Sequence, residues 1–106
     1  MTPDPSRTVL EAIARERCLE ATYNRMTVRL APHILYTRHG ELYVDAVTLL
    51  RDGNLPREPK LGSFKLTGLV GLTVVEVPFT RSALYDPQLE RYRGETVFAV
   101  LEQQAA

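Results

Sequence analysis

Apolar positions along this chain fall first into helical spacing and then into alternation. Leu10, Ile13 and Ala14 recur at helical intervals beside Val9, and Arg15, Glu16 and Arg17 form a polar side. Thr8 with Glu11 three residues later has the spacing of a capping box. This predicts a short helix from about Thr8 to Arg17, after a flexible leader over residues 1–7 marked by Pro3 and Pro5. A helix of that length is marginal alone, so its apolar side must pack on something. From Cys18 the period becomes two. In "CLEATY", Leu19, Ala21 and Tyr23 share one side and Cys18, Glu20 and Thr22 the other, which predicts a strand ending at an Asn24-Arg25 turn.

"TVRLAPHILYTR" resumes the extended pattern, and Pro32 removes one backbone donor, predicting an edge, a bend or a bulge there. A hairpin turn at His39-Gly40 pairs Arg38 with Glu41, Thr37 with Leu42, Tyr36 with Tyr43, Leu35 with Val44 and Ile34 with Asp45. Alternation then sets Leu35, Leu42, Val44 and Ala46 on a core face, and Tyr36, Tyr43, Arg38, Glu41 and Asp45 on an outward one. The Tyr36–Tyr43 pair has two readings. A cross-strand aromatic pair contributes roughly 0.2–1 kcal/mol and needs no further purpose, or Tyr43 is displayed for binding.

The strand runs to about Leu50 and meets a turn-rich connection, "RDGNLPREPK". "SFKLT" predicts a fourth strand, with Gly62, Gly68 and Gly71 marking sharp bends, and "LTVVEV" a fifth. Residues 78–95 read as a loop with room for one helical turn. Residues 96–102 read as a covered last strand, followed by a frayed tail. One helix and five or six short strands pack most naturally as a small, highly bent sheet or partly open barrel.

Composition narrows the function classes. The 106 residues are 44% apolar and 25% charged with zero formal net charge, as expected of one modest domain. Such a balance argues against non-specific binding to duplex nucleic acid but leaves a local basic site open. Cys18 is the sole cysteine and reads as a small buried hydrophobe. No apolar run approaches the roughly 18 residues of a membrane span, and the N-terminus lacks the pattern of a signal peptide, so the expectation is a cytoplasmic protein without membrane association. No phosphate loop, nucleophile elbow or zinc motif occurs, His33 and His39 have no companions at ligand spacing, and Glu41 and Asp45 read as surface carboxylates. The expectation is a non-enzymatic chain with no catalytic residue, metal site or cofactor. Its clearest chemical signal is charge. Residues 24–40 contain no acid while Arg25, Arg29, Arg38, His33 and His39 all occur, and Arg57, Lys60 and Lys65 form a second basic set. Arginines beside tyrosines suit phosphates, carboxylates and nucleobases, and also suit a plain solvated strand face.

Taken together, these features resemble a WYL domain, a bacterial module named for a Trp-Tyr-Leu tripeptide, over roughly residues 8–79. The helix and "CLEATY" are similar to the family's helix and first strand ending in Tyr. "RLAP" matches its Arg-x-x-Pro, "LYVDA" stands at the tripeptide with Tyr43 in the central position, and "GSFKLTGL" is similar to its basic segment through Phe64, Lys65, Leu66 and Leu69. The chain departs from the family at Leu42, where the family has Trp, and at Gly62 and Gly68, where it has basic residues. The resemblance implies an SH3-like (Sm-like) small β-barrel of residues 8–79, with residues 80–106 as a C-terminal extension. It also implies a sensor or regulatory module; family members are often attached to helix-turn-helix domains, and some bind single-stranded nucleic acid or nucleotide-like ligands. The chain leaves no room for a DNA-reading helical domain, so the expectation is a standalone, divergent member in transcriptional or stress regulation. Carried onto this sequence, Arg29 and Lys65 would contact an anionic group and Tyr43 would stack on the ligand, with Arg38, Tyr23 and Lys60 nearby. The alternative is a protein–protein interaction or oligomerisation module whose ligand site has been lost, consistent with the two glycines.

Overall fold

Two short turns set the register of the first three strands. Asn24 and Arg25 both take positive φ (49° and 65°), as do His39 and Gly40 (52° and 77°). Two-residue turns of that hand match the right-handed twist of antiparallel strands. They link β1 (Arg17–Tyr23), β2 (Met26–Arg38) and β3 (Glu41–Arg51) into a meander. The β2–β3 pairing from Arg38↔Glu41 to Ile34↔Asp45 is the one expected from the His39-Gly40 turn. The structure, a computed structural model, describes residues 4–92 and 96–100.

β2 is thirteen residues long and holds three neighbours. β3 lies along one side of it. The other side is shared: β1 pairs with Met26–Leu30, and β6 (Thr96–Ala99) pairs with Ile34–Tyr36. Pro32 falls in the gap between these two partners, where its missing N–H interrupts no ladder, and the register against β3 shifts between Pro32 and Ile34. Pro32 therefore marks a bulge in a central strand, one of the outcomes its position predicts. β4 (Leu61–Lys65) extends the sheet beyond β3, and β5 (Val70–Pro78) pairs with β1. The order β4-β3-β2-β1-β5, with β6 on β2, makes one six-stranded antiparallel sheet among the described residues. A 3₁₀ turn, Leu66–Gly68, joins β4 to β5, the two outer strands, which do not pair with each other. The fold is mainly β, with the strand order of an SH3-like (Sm-like) small barrel left open between β4 and β5.

The helix α1 (Pro5–Arg15) begins three residues before the expected Thr8. Asp4 caps it by accepting the Ser6 N–H at 3.0 Å, and Pro5 occupies the first helical position, where its fixed φ and missing donor suit a helix start. Pro5 is thus an initiator and not part of a flexible leader. Glu16, in left-handed conformation (φ 55°), ends the helix. Val9, Ala12 and Ile13 are fully buried on the core side of α1, which packs on β2 and β5. Cys18 is buried, as its apolar setting suggested. The core also includes Leu19, Leu30, Leu35, Val44 and Phe64, and it takes in Tyr85, Tyr92 and Val100. The segment expected as an extension of the barrel therefore contributes to the same core. Phe98 is exposed, so β6 is not covered on both faces as its pattern implied; residues 101–102 of that expected strand lie outside the described residues.

Truncating Ile13 to Ala leaves a cavity under α1 and should cost about 2–5 kcal/mol in urea unfolding. The same truncation at Leu55, which is 81% exposed, should change stability by less than about 0.5 kcal/mol.

Candidate functional site

The β2–β3 hairpin brings Tyr36 and Tyr43 side by side, their rings stacked with centroids 6.0 Å apart. Pattern alone puts both rings and Asp45 on an outward face. Tyr36 and Asp45 are instead fully buried. The cause lies more than thirty residues downstream. Residues 79–92 cross this face as a strap, with Tyr92 edge-on to Tyr36 at 5.1 Å and Tyr85 packed on Tyr92 at 5.9 Å. Asp45 is thus an interior carboxylate and not a surface one.

An interior carboxylate requires partners, and Asp45 has them on both oxygens. Tyr36 donates its hydroxyl to Oδ1 at 2.8 Å, Tyr92 donates to Oδ2 at 2.5 Å, and Arg91 Nη2 lies 3.5 Å from Oδ2. With the Tyr36 proton committed to Asp45, the Ser63 hydroxyl, 3.2 Å away, is the donor to the Tyr36 oxygen. Burial pushes the Tyr36 and Tyr92 hydroxyls above the usual phenol range, and their bonds to Asp45 push the same way. Both stay protonated and both remain donors. A carboxylate so occupied ties β2 and the strap to β3. Sequence reasoning missed this cluster, although an acid inside the apolar run "YVDAV" and tyrosines at 85 and 92 were the available signals.

His33 ties down the beginning of the strap. The Ala31 carbonyl 2.8 Å from Nδ1 can only accept, so Nδ1 carries the proton, and Nε2 accepts the Ser82 N–H at 2.9 Å. The ring packs between Phe79 and Tyr85. Burial pushes its pKa below the ordinary histidine range, the bond to Ala31 opposes this, and Arg81 adds to it.

The six residues expected at a ligand site separate into four places. Tyr43, Arg38 and Lys65 come together. Tyr43 is half-buried at the rim of the strap, Arg38 Cζ stands 6.0 Å from its ring centroid, and Lys65 is its cross-strand partner on β4. Lys65 also pairs with Glu41 at 2.8 Å, a hydrogen bond that raises its pKa. Arg29 lies seven residues along β2 from Tyr36, and its Nε and Nη2 both bond Oε2 of Glu20, the residue opposite it on β1. Tyr23 packs edge-on to Phe64 at 5.1 Å and is an element of the core. Lys60 is exposed at the other end of β4 from Lys65.

The two glycines at the expected basic positions also have a packing reason. A Cβ on Gly68 would lie 3.3 Å from the Tyr23 ring, and one on Gly62 would lie 3.3 Å from the Phe64 ring. Among the described residues no group of histidine, cysteine and carboxylate side chains is placed to hold a metal ion. No helix of the described residues is long and apolar enough to cross a membrane. Comparison of the chain with family models, with curated proteins and with solved structures finds no match.

Three outcomes follow from the strap. Replacing Tyr92 with Phe leaves a buried carboxylate oxygen short of a donor and should cost about 1–3 kcal/mol in denaturant unfolding. Asp45→Ala, which removes the acceptor that Tyr36 and Tyr92 share, should cost more. His33 binds a proton less readily folded than unfolded, so below the ordinary value of 6.5 the unfolded chain holds more protons and stability is lost as pH falls. The stability advantage of the chain over His33→Gln, measured in urea, should therefore shrink between about pH 7.5 and pH 5.

Proposed function

We propose that this chain is a divergent WYL-like, non-enzymatic sensor module that binds an anionic ligand, such as single-stranded nucleic acid or a nucleotide, in transcriptional or stress regulation in the cytoplasm. One observation carries the reading: Tyr43 sits half-buried at the rim of the strap with Arg38 at its ring and Lys65 directly across the strand pair. An aromatic platform with two flanking cations is the arrangement that stacks a base and holds its phosphate. Tyr36 backs the ring and is itself fixed by Asp45, so the platform is preorganised. Arg38 is exposed, which leaves its guanidinium able to turn from the ring to a phosphate. Lys65 shares its charge with Glu41, which an incoming phosphate would have to displace, whereas Arg29 is distant along β2, holds Glu20 through two nitrogens and has no part in this form of the site.

A second reading, a protein–protein interaction or oligomerisation module, is favoured by β5. It is an outer strand of the described sheet, nine residues long, with Val70 66% exposed. Such an edge can accept another strand.

The two readings separate in one comparison. A short fluorescent single-stranded DNA or RNA should bind saturably and weaken as salt rises, and Arg38→Ala with Lys65→Ala should reduce affinity at least about tenfold without loss of fold. Absence of binding, together with a mass that rises with concentration in sedimentation, would replace the sensor reading with the interaction one.

A further inference from the structure

The connection between β3 and β4 builds a second feature at the opposite end of β4 from Tyr43. Arg51 and Asn54 exchange backbone hydrogen bonds at 2.8 and 2.9 Å around Asp52 and Gly53, both at positive φ (50° and 79°). Asp52 then clamps this turn onto the β1–β2 hairpin. Its N–H donates to the Thr27 carbonyl at 2.7 Å, and its Oδ1 accepts the Thr27 N–H at 2.9 Å. Between the clamped turn and residues 55–60 lies an open cleft of about 660 Å³.

Three cations line it: Arg51, Arg57 and Lys60. Several cations elsewhere are paired, Arg15 and Arg17 with Glu76, Arg29 with Glu20 and Lys65 with Glu41. Arg51, Arg57 and Lys60 make no ion pair among the described residues, although Asp52 and Glu58 share the cleft. Asp52 is already committed to Thr27. The same walls hold Met26, Pro56 and Leu55, the most exposed large apolar side chain of the described residues at 81%.

We infer that this cleft is a binding site for a small phosphorylated ligand of the nucleotide class, distinct from the Tyr43 platform. The guanidinium forks of Arg51 and Arg57 match phosphate oxygens in pairs, and Lys60 adds a point charge. Met26, Leu55 and Pro56 supply an apolar surface for a planar base. The volume lies in the range of small-molecule sites. The site does not depend on Tyr43 and stands whether or not that platform binds.

Isothermal titration with ADP and with pyrophosphate tests it. The chain should bind ADP saturably below about 1 mM, more tightly than pyrophosphate. Arg57→Ala with Lys60→Ala, both exposed in a loop, should weaken ADP at least about tenfold, and Leu55→Ser should narrow the gap between ADP and pyrophosphate. Tyr43→Ser, which removes the platform as a second nucleotide site, should still bind ADP saturably at the cleft. Absence of saturable ADP binding would overturn the inference, as would ADP binding insensitive to the double substitution or lost in Tyr43→Ser. Equal affinity for pyrophosphate and ADP would overturn the nucleotide class.

Discussion

A carboxylate with no access to water is the constraint around which one side of this molecule is arranged. An unpaired charge in the interior is costly enough that it must be neutralised or fully partnered. Asp45 is partnered from two directions, by Tyr36 on the neighbouring strand and by Tyr92 and Arg91 from the strap. Those bonds fix where the strap lies. The strap in turn closes the second face of the β2–β3 hairpin over Tyr36, and leaves Tyr43 half-covered at its margin. The candidate platform is therefore the boundary of a buried network. His33 anchors the strap's other end through Ser82, so two buried polar side chains share the work of holding it.

β2 supplies the frame for this arrangement. Because β1 and β6 divide one of its sides, the strand can carry Pro32 in the interval between them and still stand at the centre of the sheet. The barrel remains open between β4 and β5, which makes β4 an outer strand with cations at both ends. Lys65 sits beside Tyr43 at one end, and Lys60 with Arg57 and Arg51 borders the cleft at the other. Two chemically similar places thus arise from one short strand. They differ in what accompanies the charge: an aromatic ring supported by a stacked neighbour, or a clamped turn with exposed aliphatic groups.

How much could be read in advance depended on sequence separation. The His39-Gly40 turn specified five cross-strand pairs correctly, because a two-residue loop leaves no freedom of register. The same arithmetic at Asn24-Arg25 pairs Glu20 with Arg29, so the neutralisation of Arg29 was legible and was overlooked. Pro5 was read as a loop residue although Asp-Pro is a helix start when an amphipathic run follows. The burial of Asp45 was harder to see. Local alternation assigns a residue to a face, but whether that face meets water depends on a segment more than thirty residues away. The cleft had the same difficulty. Arg57 and Lys60 were visible as a basic set, but the Asp52–Thr27 clamp that shapes their surroundings is a contact between two separate turns.

The functional account rests on Tyr43 as the point where rigid support and accessible charge meet. The most direct measurement is a two-dimensional NMR titration of the isotope-labelled chain with a short single-stranded oligonucleotide, following backbone and aromatic resonances together. The account predicts saturable shifts that centre on the Tyr43 ring, Arg38 and Lys65 and spare Arg29, with the buried Tyr36 ring responding only as a neighbour. Perturbations confined to β5, or none at Tyr43, Arg38 and Lys65 at saturation, would contradict it.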